Sequence, residues 1–444
     1  MSNVKPRLPK GMRDFLPQAM IKRDYVFGVV REVFHLYGFE PLQTPVMELR
    51  ETLYGKYGAD AEQLIFDAQH ARSDKDPYAL RYDLTVPLAR VVAMYENELK
   101  FPFKRYHIAP VWRGERPQRG RYREFYQCDA DIVGLASMAA DAELISLLVT
   151  ALQRLGFTSF VVKINNRKIL TGMGQYSGVS DEQLPDLYRS VDKYDKVGAE
   201  GVQKELEERG IATDVVARMM ELLQTHGEGT ASLDFLARVM GHIPAAAEGI
   251  AELRQMADHM RALGVPSHLV SFDYTVVRGL GYYTGPIFET VISEPNLGSI
   301  SGGGRYDDLI GLFRKTSLPT TGVSLGIERI IDLMDILGLY PPHIGGTLVE
   351  VLVTVFNEAT QAESARLAAE LRRAGIKTEL YMDDAKYKLG KQFAHADQKQ
   401  IPLVAVLGDD EIAQGVVKLK RLRDGYEQSV ARADAAALVR QLLL

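Results

Sequence analysis

A single cysteine, Cys128, excludes intrachain disulfides, cysteine-rich zinc sites and iron–sulfur clusters, and it points to a reducing compartment. No apolar run reaches the roughly 18 residues that a membrane-crossing helix needs. Residues 1–17 carry charges and prolines where a secretion signal requires an apolar centre, so a cytoplasmic protein without a membrane partner is expected. Positive charge is not in excess: 53 Lys and Arg against 58 Asp and Glu leave −5, so any nucleic acid must be met by local patches. The nine histidines lack metal-ligand spacing, and no protein metal site is expected. A Walker phosphate loop, internal repeats and low-complexity tracts are all absent. Gly279-Leu280-Gly281 and Gly172-Met173-Gly174 begin like dinucleotide fingerprints, but the next glycines (Gly285 and Gly178) come one residue late. What is present is ordinary for globular proteins: 444 residues, 46% hydrophobic and 25% charged, enough for two or three domains.

Helical spacing of Tyr25, Val26, Val29, Val30, Val33 and Phe34 predicts a helix over 20–40 that ends at Gly38. Two prolines, Pro41 and Pro45, make 39–46 extended. Short apolar-polar segments with charged turns over 80–135 predict antiparallel sheet, followed by a helix at 139–155 and a strand at 160–164. Residues 172–262 are amphipathic and charged, with a capping-box pattern at Ser180–Gln183, and read as a helical insertion. Strand character returns at 269–293. The stretch 339–346, with two prolines and two glycines, is the expected linker, and His343-Ile344-Gly345-Gly346 within it lacks the strand-to-helix setting of a nucleotide signature. Beyond it, strands at 349–355, 377–382, 402–407 and 415–422 alternate with helices at 361–374, 386–399 and 433–443, which implies a small, largely parallel sheet covered by helices. The domains expected are 1–338, with the insertion at 172–262, and 347–444.

The densest chemical signal lies at 111–134. Arg113, Arg116, Arg119, Arg121 and Arg123 bring five guanidinium groups into eleven residues. Phe125, Gln127 and Asp131 share parity on the strand that follows, so an aromatic ring, an amide and a carboxylate occupy one face. Guanidinium forks pair with phosphate and carboxylate oxygens in a way that lysine cannot.

These residues resemble a known family. Arg113-Gly114-Glu115-Arg116-Pro117-Gln118 and Gly120-Arg121-Tyr122-Arg123-Glu124-Phe125 are similar to motif 2 of class II aminoacyl-tRNA synthetases, with details of the histidyl branch. Lys10 to Pro17 resembles that branch's N-terminal signature, and Phe39 to Val46 the motif 1 that builds a dimer interface. Leu80 to Thr85 resembles the amino-acid loop, Arg278 to Tyr283 and Ser301 to Asp307 the two histidine motifs, and Gly322 to Arg329 motif 3. The segment with Lys388-Leu389-Gly390-Lys391-Gln392 is similar to the anticodon-binding domain, so the resemblance runs in order along nearly the whole chain. Gly281 departs from the family's usual Asp, and Asp83 and Asp131 stand where some members carry Glu.

The resemblance implies an α+β fold: a class II antiparallel-sheet catalytic domain with a helical insertion, plus a C-terminal α/β anticodon-binding domain. It implies activation of L-histidine by ATP with Mg²⁺, carried mainly by ATP oxygens, then transfer to the tRNA(His) acceptor end by a homodimer. Arg113 and Arg278 would be catalytic, Arg113 bridging the carboxylate and α-phosphate. Asp83 and Thr85 would take the ammonium, Gln127 the carboxylate, and Asp131, Tyr282 and Tyr283 the imidazole, with Arg113 and Arg278 also touching histidine. Phe125 and Arg329 would sandwich adenine, Glu115 would accept from its amino group, and Arg121 and Arg123 would hold the outer phosphates. Arg116, Gln118, Arg119, Lys388 and Lys391 would meet tRNA. The alternative is a synthetase-like regulatory subunit of ATP phosphoribosyltransferase; such paralogues typically lack the anticodon domain and lose the arginines.

Overall fold

The computed structural model describes residues 5–57, 59–70, 73–118, 120–225, 230–277, 282–382 and 388–443. The chain divides into two units, residues 1–13 with 26–339 and residues 14–25 with 340–444.

The larger unit is built on an eight-stranded sheet in the order Glu40–Pro41, Phe103–Trp112, Glu124–Val133, Thr320–Gly326, Ser301–Arg305, Pro286–Val291, Val161–Asn166, Val270–Phe272. The two outermost pairings are parallel and the five pairings between them are antiparallel. A separate three-stranded antiparallel sheet joins Met47–Leu49, Ser73–Leu80 and Asp67–His70.

Strand parity decides which side of the large sheet is core. Tyr106 and Tyr126 point to one face, where they meet Phe34 and Phe27 of the helix Pro17–Leu36 with ring centroids 5.1 Å apart in each pair. Cys128, Ala130 and Ile132 share that parity and are buried. Val26, Val30, Val33 and Phe34 form the buried stripe of the helix, as their spacing predicts, and Pro17 fits its first turn. Gly38, at φ +72°, reverses the chain after it. The opposite face, carrying the odd-numbered residues of both strands, is left for the cleft.

Two sequence expectations need correction. The 80–135 region is not sheet throughout, because Thr85–Tyr95 is a helix. Its apolar residues fall within the sheet reading, yet Pro87 is tolerated in a first helical turn, and Val86, Leu88, Ala89 and Val92 form a buried stripe. The capping box at Ser180 is also not formed: a short 3₁₀ turn, Asp181–Gln183, intervenes and Ser180 Oγ lies 3.2 Å from Gln183 Oε1 rather than on a backbone amide. Helices then run through Leu184–Val191, Tyr194–Glu208, Thr213–Leu223, Ala231–Met240 and Pro244–Ala262.

The second unit holds a five-stranded sheet in the order Thr378–Leu380, Val351–Val353, Leu403–Val406, Val416–Arg421, Glu427–Ala431. The first three strands are parallel and the last two antiparallel. Val351, Val353, Leu403 and Leu419 are buried in one apolar cluster with Leu367, Leu371 and Val439, while Leu352 and Val404 are buried in another with Ala396 and Ile401. Sequestering both faces accounts for the unbroken apolar runs in these strands. The short helix Asp409–Gln414 has no counterpart in the sequence reading. Among the described residues, no helix is long and apolar enough to cross a membrane.

Candidate active site

A cleft of about 380 Å³ opens on the odd-numbered face of the large sheet. It gathers residues from six stretches of sequence: Asp83 and Thr85; Arg113, Glu115 and Arg121; Phe125, Gln127, Asp129 and Asp131; Tyr282 and Tyr283; Ser299 to Gly303 with Tyr306; and Gly322 to Arg329. Most residues expected in the site are therefore brought together. Arg278, Arg119 and Gly281 lie outside the described residues. Arg116, Gln118 and Arg123 belong to the same loop but do not line the cleft, and Lys388 and Lys391 are exposed in the second unit.

Asp83 is held by a helix start. Its Oδ1 accepts from Thr85 N at 3.1 Å, Val86 N at 3.0 Å and the Tyr57 hydroxyl at 2.9 Å, capping the helix Thr85–Tyr95. Burial nevertheless raises its pKa above the usual carboxylate value, against the lowering influence of these bonds and of Arg113. Its Oδ2 has no hydrogen-bond partner among the described residues.

Arg113 is fixed by Nε donation to Tyr82 O at 3.1 Å, with its guanidinium carbon 4.4 Å from the centroid of the Tyr82 ring and 5.1 Å from that of Phe125. Arg121 Nε lies 2.6 Å from Glu115 Oε2. Arg123 braces the loop: its Nε donates to Glu115 O at 3.0 Å and its amide to Gly11 O at 2.9 Å. A Cβ on Gly11 would come within 2.7 Å of Pro117 Cγ, so only glycine lets the N-terminal segment run this close. Two residues on, Arg13 Nη2 reaches Glu328 Oε2 at 2.5 Å, and its guanidinium carbon lies 3.3 Å from the centroid of the Tyr122 ring. Arg329 donates through Nη1 to Ser299 O at 2.6 Å.

The floor is set by strand register. Asp131 stands opposite Arg105 on one neighbouring strand and Gly322 on the other. Arg105 is fully buried and its Nη2 lies 2.8 Å from Asp131 Oδ2, while the Tyr306 hydroxyl donates to Asp131 Oδ1. Gly322 is required here, since a Cβ would overlap the Asp131 carboxyl. One pleat back, Asp129 is opposite Ser324. Gln127 Nε2 donates to the Ser324 Oγ at 3.3 Å, and Gln127 Oε1 is buried without a partner among the described residues. Burial pushes the Asp129 carboxyl up to about 7; Arg105 pulls against this and Asp131 adds to it. Burial likewise holds Tyr57, Tyr282 and Tyr306 well above the ordinary phenol value, so they remain donors.

Sequence reasoning passed over Asp129, Arg105, Ser324 and Tyr306. The parity that selected Phe125, Gln127 and Asp131 also selects Asp129, so that signal was available. A lone arginine within Phe103–Trp112 was a second signal. Ser324 and Tyr306 lie in segments that the resemblance singled out, but what they face becomes visible only in the folded sheet.

Comparison with known proteins agrees with this geometry. The sequence model of a family described as histidyl-tRNA synthetase matches residues 11–330, and one described as an anticodon binding domain matches residues 350–442. The histidine–tRNA ligase of Aeropyrum pernix is 42% identical over 447 residues, covering 100% of both chains. That of Bacteroides fragilis strain YCH46 is 41% identical over 448 residues, covering 96% of this chain and 97% of the relative. The crystal structure of histidyl-tRNA synthetase from Nostoc sp. PCC 7120 superposes with a TM-score of 0.88 at 32% identity, over 99% of this chain and 100% of that one. With its antiparallel class II sheet, its arginine-lined cleft and these full-length matches, the chain belongs to the histidyl-tRNA synthetase family.

Proposed function

We propose that this cleft performs both steps of the family's activity, the ATP-dependent ligation of histidine to tRNA, with the roles that follow. The observation that carries the reading is the pairing of phosphate-type cations with unsatisfied buried acceptors. Arg113 and Arg121 line the cleft together with Asp83 and Gln127, whose Oδ2 and Oε1 are oxygens without partners among the described residues. A buried acceptor without a donor is costly, and an amino acid's ammonium removes that cost.

In the first step a histidine carboxylate oxygen attacks the α-phosphorus of ATP; the bond to the bridging oxygen breaks and pyrophosphate leaves. Arg113, held by Tyr82 O, bridges the two anions so that they can approach. Arg278 is assigned to the charge developing on the α-phosphate from the resemblance alone. Phe125 and Arg329 flank adenine, Glu115 accepts from its amino group, and Arg121 turns from Glu115 toward the outer phosphates. Arg123 acts mainly by holding this loop. Mg²⁺ neutralises phosphate charge when it accompanies ATP. The oxygens nearest Arg121 supply one carboxylate, Glu115, which suits an ion retained largely by phosphate and water.

Asp83, Thr85 and Gln127 receive the ammonium. This differs from the carboxylate role the resemblance implied for Gln127, because its unpartnered amide atom is an acceptor. Asp131 with Tyr282 and Tyr283 reads the imidazole. In the second step a hydroxyl of the terminal tRNA ribose attacks the histidyl carbonyl and AMP leaves. Arg116, Gln118 and Arg119 meet the acceptor end, while Lys388 and Lys391 meet the anticodon arm. The domains proposed are a catalytic domain over 1–338 with its insertion at 172–262 and an anticodon-binding domain over 347–444. A cytoplasmic homodimer is proposed, supported by exposed Val46, Met47 and Leu49 beside the motif 1 segment. Light scattering tests the dimer, which a monomer mass would exclude.

ATP–pyrophosphate exchange with each amino acid in turn tests the function. Exchange with histidine is expected, and its absence in a folded sample would sink the reading. The regulatory-subunit alternative gains no support, since Arg113, Arg329 and a C-terminal domain are all retained.

A further inference from the structure

The stretch from Arg81 to Leu84 has no regular secondary structure: it leaves the strand Ser73–Leu80 and enters the helix Thr85–Tyr95. Its shape must therefore come from contacts outside any ladder or helix. Arg81, only 2% exposed, makes several of them. Its main chain is held on both sides, the amide donating to Val46 O at 3.1 Å and the carbonyl accepting from Trp112 N at 3.1 Å. Its side chain spans the same two segments. Nε donates to Pro110 O at 2.9 Å, and Nη1 donates to Thr44 O at 2.9 Å and to Pro45 O at 3.3 Å.

This fork stands where backbone pairing runs out. The parallel ladder of Glu40–Pro41 on Arg105 and Tyr106 is followed by Leu42 N donating to Tyr106 O at 2.9 Å, and Pro45 has no N–H with which to continue it. Among the described residues no carboxylate forms an ion pair with Arg81. Glu48, whose charge reaches it, is engaged by Arg90 through Nε at 3.1 Å and Nη2 at 2.6 Å. What a guanidinium adds here over an apolar side chain of similar length is geometry, a rigid plane of donors that reaches two segments at once. The next residue carries that geometry onward. Tyr82 O accepts Arg113 Nε at 3.1 Å, the Tyr82 ring lies 4.4 Å from the Arg113 guanidinium carbon, and Asp83 follows. Neither Arg81 nor Tyr82 lines the cleft.

From this arrangement we propose that Arg81 is a positioning residue for amino-acid activation: by bridging Thr44 and Pro45 to Pro110, it sets the main chain from which Tyr82 O holds Arg113 and Asp83 meets the ammonium. The proposal rests on the cleft being the histidine site. Arg81 touches no substrate itself. A shift of its segment displaces the bridging guanidinium and the ammonium acceptor together, while the contacts of Arg13 with Glu328 and of Arg329 with Ser299 keep the adenine side in place.

The test compares the wild-type chain with Arg81→Lys, which keeps the charge but not the planar fork, in ATP–pyrophosphate exchange. The kcat should fall on the order of 10- to 100-fold, as when a reacting group is misplaced by about 1 Å. The KM for histidine should rise about tenfold, and that for ATP should stay within about twofold. A residue serving stability alone would lower the urea midpoint and leave the kinetic constants of the folded enzyme unchanged. That result, or an equal rise in both KM values, would overturn the proposal. Amide hydrogen exchange on the wild type keeps the test open should Arg81→Lys fail to fold. Saturating histidine should slow amide exchange in 81–86 and in 42–46 alike, because Arg81 ties the two segments together. Slowing confined to 81–86 would overturn the link. Absence of histidine-dependent pyrophosphate exchange in the wild type would instead remove the reading of the cleft itself, and the proposal with it.

Discussion

Arg13 Nη2 and Glu328 Oε2, 315 residues apart in sequence, meet at 2.5 Å beneath the arginine loop. Glu328 is nearly buried and immediately precedes Arg329, while Arg13 is two residues from the glycine that accepts the Arg123 amide. The N-terminal signature thus ties motif 2 to motif 3 without itself lining the cleft. Arg13→Ala should raise the KM for ATP by about tenfold and leave that for histidine within about twofold, as expected for loss of a charge-assisted hydrogen bond that positions the adenine side. Exchange kinetics with each substrate varied in turn will show the split; an equal effect on both would assign Arg13 to general stability.

Arg105 and Asp131 form a buried ion pair, 0% and 3% exposed as residues. Removing one member strands the other, at a cost of about 3–5 kcal/mol. Arg105→Met should therefore lower stability to urea by that amount, and the double variant Arg105→Met with Asp131→Leu should recover a substantial part of it. A single-variant loss below about 1 kcal/mol would mean that water reaches the pair.

Asp129 gives the site a pH dependence. Its carboxyl is held up at about 7, chiefly by burial. Facing it are Arg105 and His107 from one neighbouring strand, Ser324 from the other, Asp131 on its own strand and Asp83 across the cleft. His107 is pushed down to about 3 by burial and nearby arginines, so it stays neutral through the range. Below pH 7 Asp129 is protonated and its acceptor capacity falls; above pH 7 it is a carboxylate. The histidine KM should fall about tenfold between pH 6 and 8, following the ionised fraction, and the Asp129→Asn profile should lack this component. Substrate imidazole titrates alike in both, so the difference between profiles isolates the residue. The stability sign is the reverse: with a folded pKa above the ordinary 3.8, this carboxyl's contribution is full below that value and is lost as pH rises through 7.

Gly322 tests the packing of the floor. A methyl group there would overlap the Asp131 carboxyl and approach the Tyr306 hydroxyl at 3.1 Å. Gly322→Ala should raise the histidine KM on the order of ten- to a hundredfold, as overpacking of a tight site does, with a smaller effect on ATP. Isothermal titration with histidine is the direct check.

Lys388 and Lys391, exposed at the start of the helix Leu389–Gln398, should matter only when tRNA is present. Replacing both by Glu should weaken charging and reduce its salt dependence while exchange stays unchanged. Loss of exchange would separate these lysines from a tRNA role.

Much of this architecture was legible in the sequence because it rests on local chemistry. The apolar stripe of Val26, Val30 and Val33, the parity of Phe125, Gln127 and Asp131, and the strand–helix alternation after residue 346 each carry their own period. Thr85–Tyr95 was misread because tertiary burial outweighed the strand preference of Val91 and Val92. Ser324 and Tyr306 lay in segments that the resemblance singled out, but what they face was hidden for another reason: Asp129 and Asp131 are nearly two hundred residues away and come opposite them only through the folded sheet.

Cys128 sits between Gln127 and Asp129 but points to the opposite side of the sheet, fully buried. As the only thiol in the chain, it can be labelled only when the cleft-lining strand opens, so modification under native conditions times that opening. The wild-type enzyme thus carries its own reporter, with no engineered probe. Saturating histidine or ATP should slow labelling by the factor 1 + [L]/Kd wherever opening destroys the cleft.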